Sequence, residues 1–394
     1  MITKFDSLFA GHVDMDNVGY GGTPVNDRRF PNEHLVTAYD KALAMAQLMD
    51  RQGYYTFWLA EHHFQPEGYE CIPNLPMLIT YLSTQTKTLR FGCAFNILPM
   101  WNPLRLAEDY AMADVLTKGR ITFGIGRGYH SREVETFGAP LFDQAANRDL
   151  FEEQAEIIFK AFKEESFSHH GKYFDIPPAV PYRGYELKQI TVVPRPLHPV
   201  ETWQPIQSAT QRGLDFMAKH GIKGIIGGGV AEGGATHKVI VAWRDALARV
   251  GRETELGTDL CIGVHFHFAE TREKAIKEAA PYFEENTKMF APLRLVRGIT
   301  PEQEEIIADP KRAPHADLPR IESAVSGKGY FCGPPEEIIE GIKALEQRYP
   351  GMDRINVSHP VGTPQAMILE DMQAFAEEVM PALKSRVEAP VTAS

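Results

Sequence analysis

Cysteine is scarce and scattered: Cys71, Cys93, Cys261 and Cys332 are the only four in 394 residues, and no two form a CxxC pair. That spacing excludes a disulfide-stapled small domain and the usual zinc ribbons, and fits free thiols in a reducing cytoplasm. Basic residues are outnumbered, 41 Lys and Arg against 52 Asp and Glu, for a net charge of -11. Nucleic acid and an anionic membrane both demand a concentrated basic face, so neither is an expected partner. No apolar run approaches the ~20 residues that span a bilayer, and the opening MITKFDSLFAGH lacks the basic-then-apolar order of a secretory leader. A cytoplasmic protein is the expectation. Also missing is a GxGxxG that leads from a strand into a helix, so the chain is not expected to bind a nicotinamide for itself.

What the chain has is alternation. Hydrophobic residues make up 43% of it, enough for a large core. Eight runs read as strands: ITKFDSLFA, TFWLAEHHF, LRFGCAFNILP, RITFGIGRG, QPIQSA (204–209), IKGII (222–226), DLCIGVHFHF (259–268) and DRINVSH (353–359). Helical spacing lies between them, as in Leu35, Tyr39, Ala42, Ala46 and Met49, which end at Gly53. Thr363-Pro364 similarly reads as a cap followed by proline at a helix start. Two stretches, about 164–200 and 285–328, read as insertions in a single domain covering 1–394. Regular strand-helix alternation predicts a parallel sheet, doubly wound or closed. Almost every strand ends in polar or glycine residues: His62, Asn96, Arg127, Ser208, Gly227 to Gly229, His267 and His359. A closed barrel delivers all its strand ends to one mouth, so the expected fold is the α/β class (β/α)8 TIM barrel.

The chemistry concentrates in FWLAEHHF (57–64) and GRITFGIGRGYHSREVETFG (119–138). His62 is the expected acid/base residue, because an imidazole exchanges protons near neutral pH; packing as a core histidine is the plainer reading. Adjacent histidines on a strand face opposite ways, and no third ligand is evident beside His62 and His63, so no metal is expected. By spacing alone Arg127 serves equally as a salt-bridge partner or as a phosphate fork. Ser208, Ala209, Thr210 and Gln211 stand where QSATQRGLDFMAKHG turns into a helix, whose first N–H groups suit an anion. His265 and His267 share a strand face and suit the lumen or the core equally.

FWLAEHHFQPEG, NPLRLAEDYAMADVLTKGR, FGIGRG with FG at 137–138, QSAT, GPPEEII and VMPALK occur in an order and spacing that resembles the bacterial luciferase-like flavin monooxygenases, including the catalytic subunit of alkanal monooxygenase. The resemblance runs almost end to end. It implies a barrel that takes reduced flavin mononucleotide (FMN) from a separate flavin reductase, reacts it with O2, and puts one oxygen atom into a small organic substrate. It places His62 beside the flavin, Arg127, Gln207, Ser208, Ala209 and Gln211 around the phosphate, and a non-proline cis peptide at Ala94-Phe95, with Asn96 next to it, under the ring. It also implies a homodimer through residues 76–86 and 103–117. The chain has Gly126 where the family's luciferases carry cysteine, and Gln207 where they carry glutamate, so light emission is not implied. Two alternatives remain: a deazaflavin (F420) oxidoreductase on the same barrel, and a non-catalytic flavin-binding subunit.

Overall fold

The computed structural model describes residues 1–226, 234–296 and 299–388. Eight strands run parallel in chain order: β1 (Lys4–Phe9), β2 (Thr56–Leu59), β3 (Arg90–Cys93), β4 (Ile121–Gly126), β5 (Thr202–Pro205), β6 (Lys223–Ile226), β7 (Leu260–Phe268) and β8 (Arg354–Ser358). Pairing of β4 with β5 and of β8 with β1 closes the ring, giving the expected (β/α)8 barrel. Around it lie α1 (Thr37–Gln52), α2 (Leu75–Thr84), α3 (Pro103–Thr117), α4 (Gln144–Lys163), α5 (Gln211–His220), α6 (Gly234–Arg249), α7 (Arg272–Phe290), α8 (Pro335–Arg348) and α9 (Gln365–Ala374).

Local sequence explains helix ends on both faces of the ring. Asn102 caps α3 by accepting from the N–H groups of Leu104 and Arg105, with Pro103 in the first turn where its missing N–H costs nothing. Gly53 ends α1 in the left-handed region at φ 73°, as expected.

Side-chain alternation divides the barrel's two packing surfaces. Phe57 faces the helices and joins the main core, whereas Trp58 faces inward and packs with Trp203, Ala94, Ile225 and Cys261. Trp58 and Trp203 meet edge to face at 5.6 Å, an arrangement worth ~0.5–1.5 kcal/mol beyond burial, and they plug the lumen. Trp58 Nε1 donates to Asp6 at 2.9 Å and Trp203 Nε1 to Glu201 at 2.6 Å, which satisfies both indole N–H groups of the plug.

Several boundaries differ from expectation. β2 stops at Leu59, so Glu61-His62-His63 lie on a connection and the strand alternation rule does not govern them. β5 ends at Pro205, which leaves Ser208 and Ala209 in the link to α5. Pro364, not Thr363, is the N-cap of α9; the Thr363 hydroxyl donates back to Pro360 O instead. A short strand, Tyr330–Gly333, pairs with the outer half of β7. The first residues of the span expected from about 285 to 328, up to Phe290, belong to α7. There Glu285 is wholly buried and accepts from Gly19 N, Arg28 Nε and Tyr69 OH, pinning the glycine-rich segment after β1 onto the helix. Residues 227–229 lie outside the described residues. Among the described residues no helix is long and apolar enough to cross a membrane.

Candidate functional site

In a parallel ring the C-terminal strand ends share one face, and the expected site residues follow four consecutive strands there. His62 follows β2, Ala94 to Asn96 follow β3, Arg127 follows β4, and Gln207 to Gln211 follow β5. They form a continuous arc of the rim.

At one end of the arc, Arg127 is held from both sides. Its Nε donates to Asn147 Oδ1 at 2.8 Å, its Nη2 to the Gln144 side chain at 2.9 Å, and Asn147 Nδ2 returns a bond to the Arg127 carbonyl at 3.3 Å. Burial, with the positive charges of Arg148 and Arg212 close by, holds its pKa down to about 10. Three guanidinium groups therefore gather beside α5. Arg212 is committed to Asp149 and Glu152 at 2.7 and 2.6 Å, whereas Arg148 has only a looser pairing with Glu152 at 3.6 Å and packs over the first turn, where a Cβ on Gly213 would lie 3.2 Å from its Nη1. Thr210 is the N-cap of α5 without a side-chain capping bond, and its hydroxyl pairs with Ser208 Oγ at 2.9 Å. Free N–H groups on a ten-residue helix, two hydroxyls and two guanidinium groups make a cradle for an anion.

In the middle of the arc the Ala94-Phe95 peptide is cis, as expected. Asn96 is buried and its Nδ2 donates to Gly124 O at 2.9 Å, tying the loop after β3 to β4. Gly124 admits no side chain, because a Cβ would fall 1.6 Å from Cys93 O. A Cβ on Gly126 would meet Ile97 and Phe95 at 3.0 and 3.2 Å, which gives the departure from cysteine there a packing reason.

At the other end His62 is buried, with both ring nitrogens engaged. Nδ1 faces Glu133 at 3.2 Å, while Nε2 faces Glu70 at 3.1 Å and Tyr129 OH at 3.0 Å. Burial opposes the charged imidazole, but Glu70 and Glu133 outweigh it and raise the His62 pKa above its usual value. Conversely, burial alone would raise Glu133, yet His62, His130 and the His63 N–H bring it down to about 2. Tyr129 OH donates to Glu70 at 2.9 Å, and His130 Nε2 lies 2.9 Å from the same carboxylate. Glu61 orients its neighbours, taking bonds from Ile97 N, Trp101 Nε1 and His63. His267 bonds Asp371 at 2.8 Å and Glu278 at 3.2 Å, two carboxylates on the surrounding helices.

Sequence reasoning missed Glu70, His130, Glu133 and Arg148. HxxE at 130–133, three residues after Arg127, was the signal available for two of them. Glu70 and Arg148 carried none, since each reads as an ordinary surface charge.

The profile of the luciferase-like monooxygenases matches residues 11–351, and the chain belongs to that family. It is 31% identical over 139 residues to the oxygenase component of a flavin-dependent trigonelline monooxygenase from Acinetobacter baylyi, 35% of this chain and 38% of that one. Three such relatives, this one included, are matched over only 38% or 39% of their own length. Among solved structures, the oxygenating constituent of 3,6-diketocamphane monooxygenase from Pseudomonas putida, in complex with FMN, superposes with TM-score 0.72 at 20% identity, covering 96% of this chain and 98% of that one. An F420-dependent secondary alcohol dehydrogenase superposes with TM-score 0.65 at 14% identity, covering 97% and 99%. At those identities the two structures speak for the fold alone.

Proposed function

We propose that this chain is the oxygenase component of a two-component flavin system: a barrel that takes reduced FMN from a separate reductase and, with O2, oxygenates a small organic molecule such as an aldehyde or ketone. The observation that carries the reading is the anion cradle of Arg127, Arg148 and the open start of α5, set on the same rim as the cis Ala94-Phe95 loop. It fits a flavin phosphate, because guanidinium, hydroxyl and backbone N–H donors gather at the start of α5, where Gly213 leaves room for Arg148.

In this reading Arg127, Ser208, Thr210 and the N–H groups near Gln207, Ala209 and Gln211 hold the phosphate, and Ala94 to Asn96 support the ring. When bound, reduced flavin supplies the electrons that divide O2 between product and water. Trp58 and Trp203 close the barrel below and exclude water from that direction. His62 moves a proton at Nε2, with Tyr129 and Glu70 at hydrogen-bond distance to relay it.

A second copy of the chain is the proposed partner of the outer face of α2 and α3. Met77, Tyr81, Met112 and Leu116 are all exposed there, Met77 at 73%. Apolar side chains gathered on neighbouring helices mark an interaction surface.

The test is an anaerobic titration with reduced FMN and, separately, reduced riboflavin. Tighter binding of FMN supports the cradle; equal affinity for the two, or none for either, overturns it. The second reading, hydride transfer by a deazaflavin, draws support from the fold shared with the alcohol dehydrogenase. Turnover without oxygen consumption would favour it.

A further inference from the structure

We propose that His62, Glu70, His130 and Glu133 form a binding site for one divalent first-row transition-metal ion. The first two come from the connection after β2 and the second two from the connection after β4. One ligand atom from each lies within 4.8 Å of all the others, and all four residues are buried.

Charge is the main argument. Glu70 and Glu133 place two carboxylates out of reach of water, and among the described residues neither is paired with a Lys or Arg; their ionic partners are His62 and His130. A buried charge persists when it is paired or coordinates a metal. Neutralising both carboxylates with protons on the imidazoles requires two cations whose ring centroids lie 5.2 Å apart. A single divalent ion neutralises them with both imidazoles uncharged.

Geometry agrees. Glu70 lies 3.1 Å from His62 Nε2 and 2.9 Å from His130 Nε2, separations that ligands on a common ion adopt. Between the ligands sits the Gln65 amide nitrogen, 2.9 Å from Glu70 Oε2, 3.1 Å from Glu133 Oε1 and 3.4 Å from His130 Nε2. Three of the four ligands thus aim at a spot filled by a neutral donor. An ion takes that spot when Gln65 turns away or offers its oxygen instead. Two imidazoles with two carboxylates suit Zn2+, Fe2+, Mn2+ or Co2+, in preference to Mg2+ and Ca2+, which favour oxygen alone, or Cu+, which favours sulfur.

The inference deepens the proposed function, since it uses the same His62: an ion held through that ring withdraws it from proton transfer, and occupancy lowers oxygenation. Binding is testable without flavin. Chelator-treated protein is titrated with Co2+, followed by visible ligand-field absorption, and then with Zn2+ to displace it. The expected result is one ion per chain. Glu70→Gln and His130→Ala should each weaken binding by more than the ~10–100-fold that loss of an outer-sphere partner costs. Cys71→Ser, beside Glu70, should leave it unchanged. The absence of stoichiometric binding by the unaltered protein overturns the proposal. So does equal binding by the Glu70 and His130 variants, with circular dichroism showing them folded, or loss of binding in Cys71→Ser alone. Protein that binds FMN but no ion sinks this site only; protein that binds the ion but no FMN sinks only the flavin reading.

Discussion

Arg127 and Asn147 hold each other reciprocally, side chain to side chain at 2.8 Å and Asn147 side chain to Arg127 carbonyl at 3.3 Å. The guanidinium leaving β4 is therefore fixed in direction before any ligand arrives. Preorganised donors bind an anion without paying to be ordered. Replacing Arg127 with Ala should remove one charge-assisted contact of about 1.5–3 kcal/mol, or roughly 10–100-fold in FMN affinity. Riboflavin, which lacks the phosphate, should be bound as before. A titration in which both ligands weaken equally would show that the variant disturbed the fold and not the cradle.

The interior plug predicts a sharp intolerance. A Cβ on Gly92 would lie 2.0 Å from the Trp58 ring, and the ring is locked by its bond to Asp6. Gly92→Ala should destabilise the barrel by about 1–3 kcal/mol or more through overpacking. Denaturant unfolding measures it, and a midpoint within error of the parent would mean that Trp58 does not fill the lumen.

The exposed methionines give a prediction about assembly. Light scattering should find a dimer for the parent and a monomer for the double variant Met77→Glu with Met112→Glu, since two charges on each face are costly to bury. A monomeric parent would remove the proposed interface.

A third cluster sets a pH window for stability. Burial pushes the Asp371 carboxyl up, but His267 and His359 outweigh it and hold it below its ordinary 3.8. Burial pulls His267 down, yet Asp371 and Glu278 prevail and hold it above its ordinary 6.5. A depressed carboxylate stabilises above its unfolded value and loses that contribution as pH falls through its folded one. A raised imidazole stabilises below its unfolded value and loses its share as pH rises through its folded one. The stability difference between the parent and Asp371→Asn should therefore be greatest from about pH 4 to 6.5 and shrink on either side. A difference independent of pH would mean that the cluster is held by packing alone.

Much of this architecture was legible in the sequence because it is local. Each of the eight strands is a short apolar run with its own stop, and the order of those runs gives the ring. The rim arc followed from where the runs end, so His62, Ala94 to Asn96, Arg127 and Ser208 could be placed together before any coordinates. The illegible part is long-range. Glu70 and Glu133 reach His62 from 8 and 71 residues away through connections with no period to read. Arg148 sits in a helix whose pattern marks it as solvent-facing, and only the approach of α5 turns it toward the rim. The ends of β2 and β5 fall earlier than the runs suggest, because Ala60 and Ile206 prolong the apolar stretch past the last strand residue.

In the proposed reaction the inserted oxygen atom comes from O2. With a reductase supplying reduced FMN, the chain is incubated under 18O2 with a panel of aldehydes, ketones and small aromatics, and products are read by mass spectrometry. One 18O atom in the product, with uptake of O2, is expected. Turnover of the same substrate under strict anaerobiosis, or product carrying oxygen only from water, would contradict it.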